Sequence, residues 1–249
     1  MGDGSLDDAV PAAAMRDMKR DLIIGYHVLD DDGQSSGIAG HMTARLPGAS
    51  TFWTHRWGLS FGEVSADELL QSDFGLNIVS GPPPINPTLH IHARIYARRP
   101  DVNCIVHTHG HNVMALSAIG GRIEMCTQTA AQFYGDCGYF DEYESFVLGK
   151  EEGDSIADAL GSHRALILKH HGQLVVGGSI PDVVGSAVRL ELVAGLQLRA
   201  MASGELVNMP DDLSRKTHDF FRRPQQADLQ WGLHSREILR RRPEILRGL

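Results

Sequence analysis

Three histidines stand at alternating positions in CIVHTHGHNVMAL, residues 104–116, directly after an apolar run. Side chains alternate between the two faces of a β-strand, so His107 and His109 are predicted to project from one face at a strand end. His111 has the same parity, but Gly110 is expected to end the strand before it. Two imidazoles on one face can bind the same cation, and this spacing therefore indicates a metal site.

A second apolar run, LKHHGQL at 168–174, also ends in histidine and is followed by Gly172, which permits a sharp turn. Either His170 or His171 would face inward and complete a three-histidine site. Three neutral imidazoles that leave coordination positions open suit catalytic Zn²⁺, Mn²⁺, Fe²⁺ or Co²⁺. The alternative is two ordinary polar strand ends, and the occurrence of two such ends in one chain favours the metal.

Predicted helices and strands, which must position these histidines, alternate along the chain. Helical periodicity predicts helices at 11–29, 86–100, 112–119, 151–162 and 181–204, and a capping-box pattern predicts one that begins in SADELL at 65–70. Strands are predicted within 40–48, 50–61, 74–81 and 104–109, and two more within 164–178. This interleaving predicts one α/β domain.

The composition bounds the function. The 249-residue chain has a net charge of -8, which argues against nucleic-acid and anionic-membrane partners because these require a basic face. Three cysteines without a CxxC pair and no long apolar window favour a reducing compartment, so the cytoplasm is expected. Residues 1–10 are predicted to be disordered, 11–204 to form the domain, and 205–249 to pack on it or on a neighbouring subunit.

The segments 90–118, HIHARIYARRPDVNCIVHTHGHNVMALSA, and 166–178, LILKHHGQLVVGG, resemble the class II aldolase/adducin family, as does 37–46 more loosely. The resemblance runs from about residue 15 to about residue 200. It implies a layered α/β/α sandwich around a central, mainly antiparallel sheet. It also implies a divalent metal on His107, His109 and His171, and a homotetramer with active sites at subunit interfaces.

Departures from the family pattern carry the functional information. The sugar-phosphate aldolases have a catalytic glutamate nineteen residues before the first metal histidine, and Thr88 stands there in this chain. A threonine cannot act as the carboxylate base of aldol chemistry. In the phosphate-binding segments, His41 replaces an asparagine, and Asn86 and Pro87 replace a Ser-Ser pair. The aldol machinery and the phosphate site are both altered.

The replacements suggest a carboxylate substrate. Histidines and arginines in early segments, which the family brings near the active site, suit such a substrate: His41, Arg45, His55 and Arg56. INPTLHIH and FYGD resemble a branch that contains decarboxylases of hydroxylated aromatic or pyridine carboxylic acids. The expected activity is therefore a metal-dependent, non-oxidative decarboxylation in aromatic catabolism. The expected catalytic residues are His90, His92, Tyr134 and Thr88.

Three alternatives stay open at this stage. A metal-dependent aldolase for a non-phosphorylated substrate would need another base, from Glu124, Asp136 or a neighbouring subunit. A non-heme iron oxygenase on the same fold is the second, although two histidines and a carboxylate are more typical of its site. The third is an adducin-like interaction module, which would not need the three histidines that this chain keeps.

Overall fold

The computed structural model describes residues 12–142 and 149–249. The segment predicted to be disordered, 1–10, lies outside these residues. The helices are α1 Ala12–Asp31, α2 His90–Arg98, α3 His111–Ala118, α4 Lys150–Leu160, α5 Ile180–Met201, α6 Asp211–Phe221 and α7 Pro224–Arg241. The strands are β1 His41–Ala44, β2 Thr51–His55, β3 Leu69–Asp73, β4 Ile78–Ser80, β5 Cys104–Thr108, β6 Cys137–Phe140, β7 Ala165–Leu168 and β8 Gln173–Gly177.

The strands form a mixed sheet in the order β4-β3-β2-β1-β5-β8-β7-β6. Every neighbouring pair in it is antiparallel except β6 and β7, which are parallel. The centre of the sheet is β1-β5-β8, and there His41 pairs with His107, which in turn pairs with Leu174. The predicted layered, mainly antiparallel α/β architecture is confirmed.

Helices cover both faces of the sheet. Alternate residues of β5 enter two separate hydrophobic clusters, because a strand turns successive side chains to opposite faces. Cys104 and Val106 pack with α1 and α5, whereas Ile105 packs with α2 and α4. His107 has the parity of Ile105 and therefore lies on the α2 side.

One predicted helix is wrong. SADELL forms a short 3-10 turn over Ala66–Glu68, and Leu69 and Leu70 then begin β3, where both are buried. The capping box is formed five residues earlier, where Ser60 and Glu63 bond reciprocally. The sequence analysis also missed β6, whose four residues are all half-buried at the sheet edge and lack a clear alternation.

The segment after 204 forms α6 and α7, and α7 packs against α1 and α5 of the same chain. The chain has a basic C-terminal cluster, REILRRRPEILRGL at 236–249. Two of its arginines, Arg241 and Arg242, both pair with Asp31 at the end of α1. These ion pairs give the cluster an intramolecular partner. In the part of the chain that the structure describes, no helix has the length and apolar character needed to cross a membrane.

Candidate metal centre and its surroundings

Three histidines meet at the end of β5. His107 is the fourth residue of that strand, His109 follows the strand directly, and His171 lies in the turn between β7 and β8. One nitrogen from each ring lies within 4.8 Å of the others. Such a spacing allows the three nitrogens to bind one ion. The pairing of β5 with β8 brings the two sequence segments together.

Backbone geometry selects His171 over His170, a choice that the sequence left open. His170 adopts a φ of 56°, a left-handed conformation that non-glycine residues seldom adopt. Gly172 follows, and a β-carbon at this position would clash with the carbonyl oxygen of Thr108, so only glycine fits. This tight corner places the His171 ring 4.8 Å from that of His107 and 4.7 Å from that of His109.

Hydrogen bonds orient the rings for metal binding. The Nδ1 atom of His107 lies 2.9 Å from the carbonyl oxygen of Gln173. A carbonyl only accepts, so Nδ1 carries the hydrogen and Nε2 keeps a lone pair for the ion. Ser36 Oγ lies 2.9 Å from His109 Nδ1 and leaves Nε2 of that ring available. The donor set therefore fits a divalent metal of the Zn²⁺ type.

Burial keeps the three imidazoles neutral. It lowers the pKa of His107 well below the usual histidine range, and the neighbouring His109 and His171 lower it further. Burial likewise lowers the pKa of His109 to about 4 and reduces that of His171. A histidine must be deprotonated to bind a metal, so the site is prepared for binding near neutral pH.

A buried amide network supports the strand ends from the α5 side of the sheet. Gln173 Nε2 donates to Gln34 Oε1 at 2.6 Å and to Thr108 Oγ1 at 2.9 Å. Glu191 of α5 accepts from the main-chain N–H groups of Asn112 and Val113 at 2.7 and 3.0 Å. Its carboxylate therefore sits at the N-terminus of α3, where the helix dipole favours negative charge. These bonds hold both segments that carry the metal-binding histidines.

The structure brings His41 next to the triad, and two more predicted site residues, Thr88 and His92, lie within hydrogen-bond distance of His41. The His41 ring lies 4.9 Å from that of His107. His41 Nδ1 is 3.0 Å from His92 Nε2, and His41 Nε2 is 3.0 Å from Thr88 Oγ1. Burial lowers the pKa of both His41 and His92 well below the usual range.

Four further residues contact this site and were missed by the sequence analysis: Ser36, Thr43, Tyr96 and Gln173. Thr43 shares the strand parity of His41, and Tyr96 lies one helical turn after His92. Those spacings would have supported their inclusion only once β1 was known to lie against α2. Ser36 and Gln173 lie in a loop and a neighbouring strand, and no local pattern marked either of them.

Two predicted substrate-binding arginines have other partners. Arg45 is buried and donates to the carbonyl oxygens of Val102 and Arg99 at 2.9 and 3.0 Å, with its guanidinium 4.5 Å from the centre of the Tyr96 ring. It also lies four residues from His41 along an extended segment, which corresponds to about 13 Å. Arg56 pairs with Glu68. The roles of both in substrate binding stay predictions.

His55 lies on the α1 side of the sheet. Its Nδ1 is 2.9 Å from the hydroxyl of Tyr26, and its ring contacts Phe61 edge-on. The Tyr26 hydroxyl donates to the carbonyl of Met42, so His55 Nδ1 must carry the hydrogen that joins the two side chains. His55 therefore lies in the part of the core that packs between α1 and the sheet.

His90 and Tyr134 also lie apart from the His41–His92 pair. His90 is half-buried beside the start of α4, where the charges of Lys150 and Glu152 act on it. The Tyr134 hydroxyl donates to Asp211 of α6 at 2.5 Å. Their expected part in catalysis stays a prediction. His111, which the sequence placed outside the ligand set, is exposed at the start of α3 and does not belong to the described metal cluster.

The surroundings of the triad are imidazole-rich. The charges that shift the pKa values of His41, His107 and His109 all belong to other histidines, and no carboxylate of the described residues is among them. The arrangement can hold a divalent cation and offer N–H and O–H groups beside it. Within these residues it offers no carboxylate base.

Comparisons with known proteins identify the same family as the motifs. A family model described as the Class II Aldolase and Adducin N-terminal domain matches residues 20–198. A protein of Streptomyces roseochromogenus subsp. oscitans, named 4-hydroxy-3-prenylphenylpyruvate oxygenase/4-hydroxy-3-prenylbenzoate synthase, is 32% identical over 184 residues, which are 73% of this chain and 66% of that protein. Decarboxylase NovR of Streptomyces niveus is 32% identical over 73% of this chain and 68% of its own length.

A solved structure resembles the whole fold. The L-fuculose 1-phosphate aldolase of Glaciozyma antarctica is 26% identical, covers 96% of each chain, and superposes with a TM-score of 0.87. The family model spans more than half of the sequence, and its range contains the three clustered histidines. This chain therefore belongs to the class II aldolase and adducin N-terminal domain family.

Proposed function

We propose that this chain is a divalent-metal-dependent carbon–carbon lyase that decarboxylates a hydroxylated aromatic or pyridine carboxylic acid without oxidation. One observation carries the proposal. The groups around the triad are the imidazoles of His41 and His92 and the hydroxyls of Ser36 and Thr88, and no carboxylate of the described residues shifts the pKa values of the triad. The sugar-phosphate aldolases of this family use a carboxylate base, and these groups supply none.

Decarboxylation of such a ring consumes one proton at the carbon that bears the carboxylate and releases one CO₂. A divalent metal held by His107, His109 and His171 would supply Lewis-acid polarisation of the substrate's hydroxyl oxygen. The His41 ring lies beside that of His107 and would contact the substrate's carboxylate, with Thr88 bonded to its Nε2. His92 lies within hydrogen-bond distance of His41 and would hold its ring in place.

The names of two relatives support the substrate class. One is named a decarboxylase, and the other is named for hydroxylated, prenylated aromatic acids. This chain matches only about two thirds of their length, so their activities enter only as support. We also propose a homotetramer with active sites at its interfaces, as the family resemblance implies. The free cysteines Cys104, Cys126 and Cys137 fit the expected cytoplasmic setting.

The test uses purified full-length protein loaded in turn with Zn²⁺, Mn²⁺, Fe²⁺ or Co²⁺. Each form is incubated without oxygen with dihydroxylated phthalates and hydroxypyridine dicarboxylic acids, and CO₂ is measured. Anaerobic CO₂ release is the expected result. Turnover only with Fe²⁺ and O₂ would replace the proposal by an oxygenase, and release of an aldehyde from an aldol substrate would replace it by an aldolase.

A matched pair of variants ties the activity to the triad. His109→Ala removes one of the clustered nitrogens and should abolish stoichiometric metal binding and CO₂ release. His111→Ala removes an exposed histidine two residues away and should keep both. Metal content is measured by elemental analysis of the dialysed proteins. Full metal content and full activity in His109→Ala would refute the assignment of the metal centre.

A further inference from the structure

A buried chain of hydrogen bonds leads from the core to the edge of the triad. Five bonds of 2.8–3.0 Å join six side chains in the order Tyr96, Thr43, His92, His41, Thr88 and Asn86. All of these residues except the half-buried Thr88 are at most 3% exposed. Water therefore has little access to the inner bonds, and each must be satisfied by the next side chain.

The direction of the chain is fixed at its Asn86 end. The main-chain N–H of Thr88 lies 3.0 Å from Oδ1 of Asn86, so this atom must be the amide oxygen. The hydroxyl of Thr88 lies 2.8 Å from the same oxygen and must donate its single hydrogen to it. Thr88 Oγ1 can then only accept from His41, so Nε2 of His41 carries a hydrogen.

When both imidazole rings are neutral, the direction of each remaining hydrogen bond follows from the one before it. With its hydrogen on Nε2, His41 has a lone pair on Nδ1 and accepts from His92 Nε2. His92 then has a lone pair on Nδ1 and accepts the hydrogen of Thr43. Thr43 has used its single hydrogen and accepts from the hydroxyl of Tyr96. Each group from Tyr96 to Thr88 donates once in the direction of Asn86, and none of them is left without a partner.

We propose that Tyr96 and Thr43 are positioning residues that lock His92 and His41 in the tautomers with hydrogen on Nε2. Locking the tautomers directs a hydrogen of His41 toward Thr88, at the edge of the metal centre. A role of this hydrogen in catalysis rests on the proposed function. The assignment of the two tautomers does not, because it follows from the hydrogen bonds alone. Without the Thr43 hydroxyl, His92 Nδ1 loses its donor, and only the bond from Thr88 to Asn86 still holds the order of hydrogens. The reverse order then becomes accessible to both rings when the Thr88 hydroxyl turns from Asn86 to His41 Nε2.

The experiment compares two substitutions at one position. Thr43→Val keeps the shape of the side chain and removes the hydroxyl, whereas Thr43→Ser keeps the hydroxyl. Each protein is labelled with ¹⁵N-histidine, and the ring nitrogens are observed by NMR, because protonated and unprotonated nitrogens differ widely in chemical shift. Spectra of His41→Asn and His92→Asn assign the signals. The ring nitrogens are read in metal-free protein, so the result does not depend on turnover.

We expect wild type and Thr43→Ser to show one tautomer at each ring, with hydrogen on Nε2, and Thr43→Val to show both. A single unchanged tautomer in Thr43→Val would overturn the proposal. Thr43→Ala, which also removes the hydroxyl, provides a second variant, with the same mixed tautomers expected, if Thr43→Val does not fold. Tyr26→Phe removes another buried tyrosine hydroxyl, from the α1 side, and should leave His41 and His92 unchanged.

Turnover gives a separate readout. On a substrate that the enzyme decarboxylates, Thr43→Val should lower kcat about tenfold, which corresponds to one lost hydrogen bond, with little change in KM. Thr43→Ser should restore most of kcat. An unchanged kcat together with mixed tautomers would refute the catalytic role. If no substrate is decarboxylated, the proposed function fails while the tautomer result still decides whether Tyr96 and Thr43 position the rings.

Discussion

The stability of the fold should depend on the neutral state of His55. Burial and, to a smaller extent, the charge of Arg56 lower the pKa of His55 from 6.5 to about 4, against an opposing hydrogen bond with the main chain of Leu59. The unfolded chain therefore binds a proton at a higher pH than the folded chain does. Stability contributed by the neutral ring is present above the unfolded pKa and is lost as the pH falls from 6.5 toward about 4.

The magnitude follows from the shift. A difference of about 2.5 pKa units corresponds to about 3 kcal/mol when the loss is complete. Between about pH 7 and about pH 5, the expected loss of unfolding free energy from His55 alone is about 2 kcal/mol. Other buried histidines add to the acid sensitivity of the wild type. The contribution of His55 is therefore the difference between the losses of unfolding free energy in the wild type and in a His55 variant.

The assay is urea denaturation of wild type and His55→Asn at both pH values, with EDTA present so that metal release does not contribute. Asparagine keeps a donor near the position of Nδ1, next to the Tyr26 hydroxyl, and removes the titrating ring. His55→Asn should lose about 2 kcal/mol less between the two pH values than the wild type does. His111→Asn, at an exposed position, should behave as the wild type. An equal loss in His55→Asn and wild type would refute the reasoning.

Two further predictions concern the segments that carry the histidines. Glu191→Gln replaces one carboxylate oxygen by an NH2 group, so one of the two main-chain N–H groups at the start of α3 loses its acceptor. The unfolding free energy should fall by about 1–3 kcal/mol in chemical denaturation, and an unchanged value would show that the carboxylate does not stabilise α3. Gly172→Ala places a β-carbon against the Thr108 carbonyl and should weaken Zn²⁺ binding in calorimetric titration. Gly185→Ala in α5 meets open space, so it should keep the wild-type affinity, and equal affinities in both variants would contradict the steric argument.

Local patterns were enough to predict two of the three clustered histidines. The alternation of His107 and His109 is a property of one strand, and the apolar run before them marks that strand as buried. The choice between His170 and His171 was not available from the pattern, because it depends on the left-handed backbone at His170. Family resemblance supplied that choice, and the geometry supplies its cause.

The rest of the site depends on pairings that a single sequence does not specify. His41 and His92 are 51 positions apart and meet because β1 lies beside β5 in the register that opposes His41 to His107. The same limit explains the error at 65–70. Ser65 and Glu68 match a helix start locally, but burial of Leu69 and Leu70 in the sheet outweighs that local preference.

The pairing of β5 with β8 also gives the metal centre the topology of a crosslink. His109 and His171 are separated by about sixty residues of chain, and in the unfolded state nothing holds their rings within reach of each other. An ion bound by both would close that loop much as a disulfide does, and loop closure on this scale corresponds to about 4 kcal/mol of chain entropy. Unlike a disulfide, this crosslink would be reversible and insensitive to reductants. Chelators and acid would open it, so the availability of metal in the cell would set how firmly the centre of the sheet is closed.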